Sequence, residues 1–276
     1  MKKAIATWRW SLGTVVRSPA LLLTLAGLVA LWGFGAYQWL WLPESSLVFL
    51  LLGLVWGLAQ LLVVVGILAA TATSATAAAA TNARRMGWRD FLGVDRRQFS
   101  RCLILAVAGG ILVLALLQVF SWSDDYALEV ASFLTFRSER AVSPIAVGKV
   151  FWVIQAWLWL VVGEFLLSFL TVLLRAGWRE AGRQAARVLA NCCWRAAFLT
   201  SLLSLVVFGG LAYLLATWHP KVAVGFWDYA QMLVRLGAAL LLLVVGWLFW
   251  MLSLARFSLP ERSLHTLNAC NSSREL

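Results

Sequence analysis

The sequence predicts an all-α integral membrane protein with about six transmembrane helices, and three observations carry that reading. Hydrophobic residues fill 62% of the 276 positions and charged residues only 13%, against roughly half and a quarter in a soluble domain. The apolar residues gather into six runs long enough to cross a bilayer, which takes about 20 residues each. Lys and Arg alternate from one connection to the next as topogenic charge does. The connections are short, so the chain reads as a single membrane domain, 1–276.

The first run, Ala20–Leu40, follows a fairly polar start and ends in Tyr37, Trp39 and Trp41 rather than a small-residue cleavage site. It reads as a retained span, not a cleaved signal peptide. The second is Ser46–Ala72. Ala is the best helix former, so this helix is expected to continue through the Ala/Thr-rich 71–80 stretch and project past the lipid. The remaining spans are Cys102–Phe120, Gly148–Leu174, Ala197–Trp218 and Ala230–Leu254. Between the third and fourth runs lies the longest outer loop, Trp122–Val147. There Ser123 is placed to cap a surface-lying helix whose first turn carries Asp124 and Asp125. Leu128, Phe133, Leu134 and Phe136 would bury against lipid or the bundle, and Pro144 would end the segment.

Of the 23 Lys and Arg, 18 fall on one side of this arrangement. They lie before the first span, in the 84–101 and 175–195 connections and after the last span. The other side holds only Arg137, Arg140, Lys149 and Lys221. Positive charge stays inside, so both termini are expected to be cytoplasmic, in a cell (inner) membrane. The net charge of +11 is thus a membrane feature, and nucleic acid is not an expected partner. Trp39, Trp41, Trp122, Trp152, Trp218 and Trp227 mark outer boundaries, and Trp8, Trp10, Trp88, Trp178 and Trp194 inner ones. Indole suits both, having an apolar body and one N–H donor. Cys102, Cys192, Cys193 and Cys270 all fall on the reducing side, so no structural disulfide is expected.

An internal repeat organises the chain. Gly87-Trp88-Arg89-Asp90 matches Gly177-Trp178-Arg179-Glu180, and each precedes a span with a glycine pair, Gly109-Gly110 and Gly209-Gly210. Trp8, Arg9, Trp10 and Arg17 resemble a third, degenerate copy. The pattern predicts three helical hairpins, each preceded by a basic interfacial segment. Arg175, Arg179, Arg183 and Arg187 recur every four residues and form one helical stripe. Trp178, Ala181, Ala185, Val188 and Cys192 lie largely on another face. Such a helix would lie in the interface, arginines toward lipid phosphates and Trp178 toward acyl chains. With Arg84, Arg85, Arg89, Arg96 and Arg97, the stripe is also a surface on which a cytoplasmic partner can dock.

Glu164 is the one carboxylate deep in a span, and an intramembrane acid is a functional candidate by default. It falls about 21 Å below the outer boundary at ~1.5 Å per residue. Ser168 and Thr171 share its face, and Gln60 of the second span falls at the same depth, which predicts an interior polar cluster. Arg235, about 7 Å below the boundary on the same rise, is too shallow for a direct pair with Glu164. It is expected to snorkel outward near Gln155 and Gln118. Gly53 and Gly57 form a GxxxG pair, and with Gly109, Gly110, Gly209 and Gly210 they are expected to pack helices.

The exclusions narrow the chemistry. The two histidines, His219 and His265, lie at an outer boundary and in the tail, so paired haem ligands are lacking. No Cys/His cluster has metal-ligand spacing, and no P-loop, HExxH or GxSxG is present. No resident cofactor or metal is evident, and catalysis is not expected. One reading is a non-catalytic scaffold or accessory subunit of a larger membrane complex, able to hold lipid or an apolar pigment. The other comes from Trp8–Leu28 with Arg17-Ser18-Pro19, which resembles the start of ABC-2-type exporter permeases. That resemblance implies a transporter permease whose cytoplasmic ATPase contacts the loops around Arg84–Arg101 and Arg175–Arg195.

Overall fold

The computed structural model describes residues 2–41, 46–138, 141–194, 196–218 and 226–258. Arg140, Arg195, Lys221, His219, His265, Cys270 and the tail arginines lie outside the described residues. Among the described residues the chain is helical, with no strand. Six helical segments are long and apolar enough to cross a bilayer, which makes the chain a multi-pass membrane protein.

In order, α1 (Lys2–Val16) precedes the spans α2 (Pro19–Leu40) and α3 (Leu47–Thr81). A short α4 (Trp88–Leu92) leads into α5 (Arg96–Ser138) and α6 (Pro144–Ala176), and α7 (Trp178–Trp194) follows. The fifth crossing segment is composite: α8 (Ala196–Leu203), a π-helical turn (Ser204–Gly209) and α9 (Gly210–Thr217). The last span is α10 (Phe226–Phe257).

The ends of these helices follow local chemistry. Pro19 takes the first position of α2, where a missing N–H costs nothing. Ser46 caps α3 by accepting from the Phe49 amide at 3.4 Å. Asn82 closes α3 at φ 50°, a left-handed conformation Asn tolerates. Gly177, at φ 82°, closes α6 and lets the chain reverse into α7.

Two expectations are corrected. The outer loop after Trp122 holds no separate surface-lying helix: α5 runs unbroken to Ser138. No Gly or Pro interrupts 121–138, and a formed helix gains one hydrogen bond per added residue. There is consequently no helix start at Ser123 to cap, and Pro144 begins α6 rather than ending a segment. Along this length α5 runs antiparallel to α6. Phe120 meets Trp159 edge-on at 5.6 Å, Gly109 faces Leu166, and Arg101 Nη1 donates to the Leu173 carbonyl at 3.3 Å.

The second correction concerns α7. Its arginines 179, 183 and 187 are exposed, as is Trp178, but part of its apolar face is turned to protein. Ala181, Val188 and Cys192 are buried against Val172 and Leu173 of α6, flanked by Phe165 and Phe169. A protein neighbour fills part of the face that periodicity alone assigns to lipid.

The buried core concentrates at the end of the bundle formed by α1, the last turns of α3 and α10, and the α6–α7 junction. We term this the basic end. There Ala69, Ala72, Ala75, Ala78 and Ala79 of α3 pack with Leu248, Met251 and Leu252 of α10 and Val15 of α1. Small side chains let helix backbones approach closely, and dispersion then holds them. Most hydroxyls among them are satisfied within the helix, as Ser74 Oγ donates to the Ala70 carbonyl at 2.6 Å, while Thr73 Oγ1 is buried without a partner. As the sequence predicts, α3 continues as helix through its Ala/Thr-rich stretch to Thr81.

Candidate functional site

Glu164 is fully buried, where α6, α7, α8 and α10 converge near the basic end. Ser201 of α8 donates to its Oε2 at 2.9 Å, and Trp250 Nε1 of α10 donates to Ser201 Oγ at 2.7 Å. Oε1 is buried and has no hydrogen-bond partner. The Cys192 thiol of α7 lies beside the carboxyl and also meets Ser168. Burial, reinforced by Glu164, pushes that thiol up to about 12, so it stays a neutral and unreactive group. On the adjoining face Trp8 Nε1 of α1 donates to Thr200 Oγ1 at 2.6 Å. One carboxyl thus anchors a relay of single hydrogen bonds that clasps helices distant in sequence.

Of the four residues proposed as one polar cluster, the structure brings Glu164 and Ser168 together around Cys192. Thr171 is buried one turn on, its hydroxyl donating to the Ser168 carbonyl at 2.7 Å. Gln60 goes elsewhere. Its amide packs on Gly35 of α2, and its Oε1 is buried without a partner. Equal depth on two helices does not fix their rotation, so depth could not show this. The partners that matter, Ser201, Cys192 and Trp250, carried no sequence signal beyond their residue types.

Arg235 is half-buried in α10, and its Nε and Nη1 have no hydrogen-bond partner. Gln155 is partly buried and Gln118 exposed. Other charged groups are placed at the basic end. Arg256 stacks over the Trp10 ring at 4.5 Å and donates to Asn82 Oδ1 at 3.2 Å. Ser18, within Arg17-Ser18-Pro19, accepts from the Met86 amide at 3.0 Å, tying α1 and α2 to the first basic loop. Arg84, Arg85, Arg89, Arg96 and Arg175 are exposed.

The glycines divide. Gly53 and Gly57 face Trp39 of α2, and Gly109 faces Leu166. Gly110 and Gly210 have open space where a side chain would stand, and Gly209 meets only Leu205 of its own turn. A close helix approach is at Gly246, where a Cβ would lie 2.6 Å from Phe208 Cβ. The π-helical turn sets this contact by widening the fifth span, with Ser204 Oγ donating to the Gly246 carbonyl at 2.9 Å.

Beyond the packed half lies a cavity of about 720 Å³, walled by α2, α3, α5, α6 and α10. Its lining includes Val64, Ile67, Leu167, Leu243, Trp32 and Trp247. The volume is that of a small-molecule pocket, ~300–1,000 Å³, but such pockets carry a few converging polar groups and this one does not. The two indoles nearest its floor are committed to protein oxygens: Trp247 donates to Thr71 Oγ1 at 3.4 Å and Trp250 to Ser201. The Trp32 N–H is buried without a hydrogen-bond partner. Among the described residues no group of three or more His, Cys, Asp or Glu gathers as a metal site. No protein-family model, curated protein or solved structure matches the chain.

Proposed function

We propose that this chain is a non-catalytic membrane subunit that holds a hydrocarbon chain in the centre of its bundle. The carrying observation is the 720 Å³ cavity whose lining is almost wholly apolar, its one unpaired indole N–H, that of Trp32, lying buried rather than open to the space. A polar head would forfeit its hydrogen bonds there, so an acyl or isoprenoid tail, or a pigment of pure hydrocarbon, suits it best. Glu164 serves structure on this reading, because its contacts go to neighbouring helices. The bundle is three hairpins, α2–α3, α5–α6 and α8/α9–α10, each preceded by a basic segment. Both termini are cytoplasmic in an inner membrane, as the asymmetry of Lys and Arg supports. Larger membrane-protein subunits are the proposed partners.

A permease coupled to an ATPase is the second reading. It is favoured by the Ser18–Met86 bond, which makes α1 and the first basic loop a single platform that a cytoplasmic protein can push. Purification in mild detergent, with mass spectrometry of everything retained, separates the two. The first reading expects membrane-protein partners and a retained apolar molecule. A stoichiometric ATPase would replace it with the second.

A further inference from the structure

A second recess, of about 110 Å³, opens at the basic end between α6, α7 and the last turn of α10. Its polar lining is Arg175, Arg187, Gln184, Asn191 and Ser258, set on the apolar floor of Val172 and Phe257. No carboxylate lines it. Glu180 of α7 accepts from Gln184 Nε2 at 2.5 Å and stands 3.9 Å from Arg183, so it is engaged with its own helix. Arg175 and Arg187 form no ion pair among the described residues. Two guanidinium groups sharing one concavity without a counter-charge repel each other, and a bound anion would relieve this.

We propose that this recess binds the phosphate of an anionic membrane lipid. At ~30 Å³ per water molecule, it has room for one phosphate group with little water beside it. Planar guanidinium groups suit phosphate oxygens, which they grip in pairs. The apolar floor suits the glycerol and first methylenes of a lipid better than a free ion. Basic pockets between spans on the cytoplasmic side are where anionic headgroups settle. The recess is separate from the apolar cavity, and its occupancy is independent of what that cavity holds.

The test is native mass spectrometry of the full chain, supplied in turn with phosphatidylglycerol and phosphatidylcholine. The wild type is expected to retain one phosphatidylglycerol in preference to phosphatidylcholine. Arg175→Gln/Arg187→Gln should bind it at least about tenfold more weakly, with an unchanged unfolding temperature in lipid-free detergent. Arg175→Lys/Arg187→Lys should recover part of the binding, and Arg84→Gln/Arg85→Gln should match the wild type. Equal retention by the Gln pair and the wild type would overturn the proposal, as would equal retention of both lipids. Saturation by inorganic phosphate with no preference for the lipid would overturn the lipid source.

Discussion

In α3 the side chains from Leu47 to Val64 stand mostly outside the protein, whereas most of those from Val65 to Ala79 are packed within it. The same contrast runs through α10, exposed around Leu233 and Val234 and buried at Leu248, Met251 and Leu252. Both halves are apolar, so hydrophobicity cannot distinguish them. In α3 residue size does: small Ala, Ser and Thr dominate the packed half and bulky Leu and Val the open half, whereas α10 buries bulky Leu248, Met251 and Leu252 against those small residues. In a bilayer the lipid is as apolar as Leu, so helices associate where small residues allow close contact and separate where bulky ones face the chains. The cavity lies where the packing ends.

The largest effect expected is on the packed half. Leu252→Ala removes a fully buried side chain and should cost about 2–5 kcal/mol. Leu54→Ala, at 59% exposure, should cost less than about 0.5 kcal/mol. Unfolding of the two variants in detergent reads the difference directly, and equal losses would break the comparison.

Glycine gives the next contrast. Gly246→Ala drives a methyl into Phe208 and should cost about 1–3 kcal/mol. Gly110→Ala meets nothing within 4 Å and should be neutral or stabilise by up to about 1 kcal/mol. The same unfolding measurement checks both.

Ser201→Ala removes the donor to Glu164 and the acceptor for Trp250, so it should cost about 1–3 kcal/mol. Glu164→Gln, which can still accept from Ser201, should cost less. If Gln proved as damaging as Ala, the clasp would need the carboxyl itself.

The smallest effect is chemical. Cys192, buried and held protonated, should resist iodoacetamide at pH 8 in the folded protein and react on unfolding. Peptide mapping after alkylation reads this out. The linkage has a definite sign. A folded-state value raised above the unfolded one stabilises below about pH 8.5, the ordinary thiol value. That contribution falls away as pH rises toward the folded value of about 12.

The six spans were legible because bilayer-length apolar runs leave few alternatives. Their ends were less so. Hydropathy stops at Phe120, but the backbone continues helically to Ser138 because nothing there breaks it. The arginine stripe of α7 was readable from its period, whereas the neighbour on its apolar face was not. Glu164 was visible as an isolated acid. Its partners Ser201 and Trp250 are 37 and 86 positions away in the sequence, and only the relative rotation of helices brings them to it. Gln60 failed for the same reason. The cavity had no sequence signature, since its lining residues are the same Leu, Val and Trp that face lipid elsewhere.

The most direct test of the account is to purify the wild type and Leu167→Trp in mild detergent and count the apolar molecules each retains. Leu167 lines the cavity wall, and indole in its place fills part of the space without touching Glu164's hydrogen bonds. The account predicts one retained hydrocarbon-tailed molecule per wild-type chain and none on the variant, with both equally folded. A wild type that retains nothing, or a variant that retains as much, would contradict it.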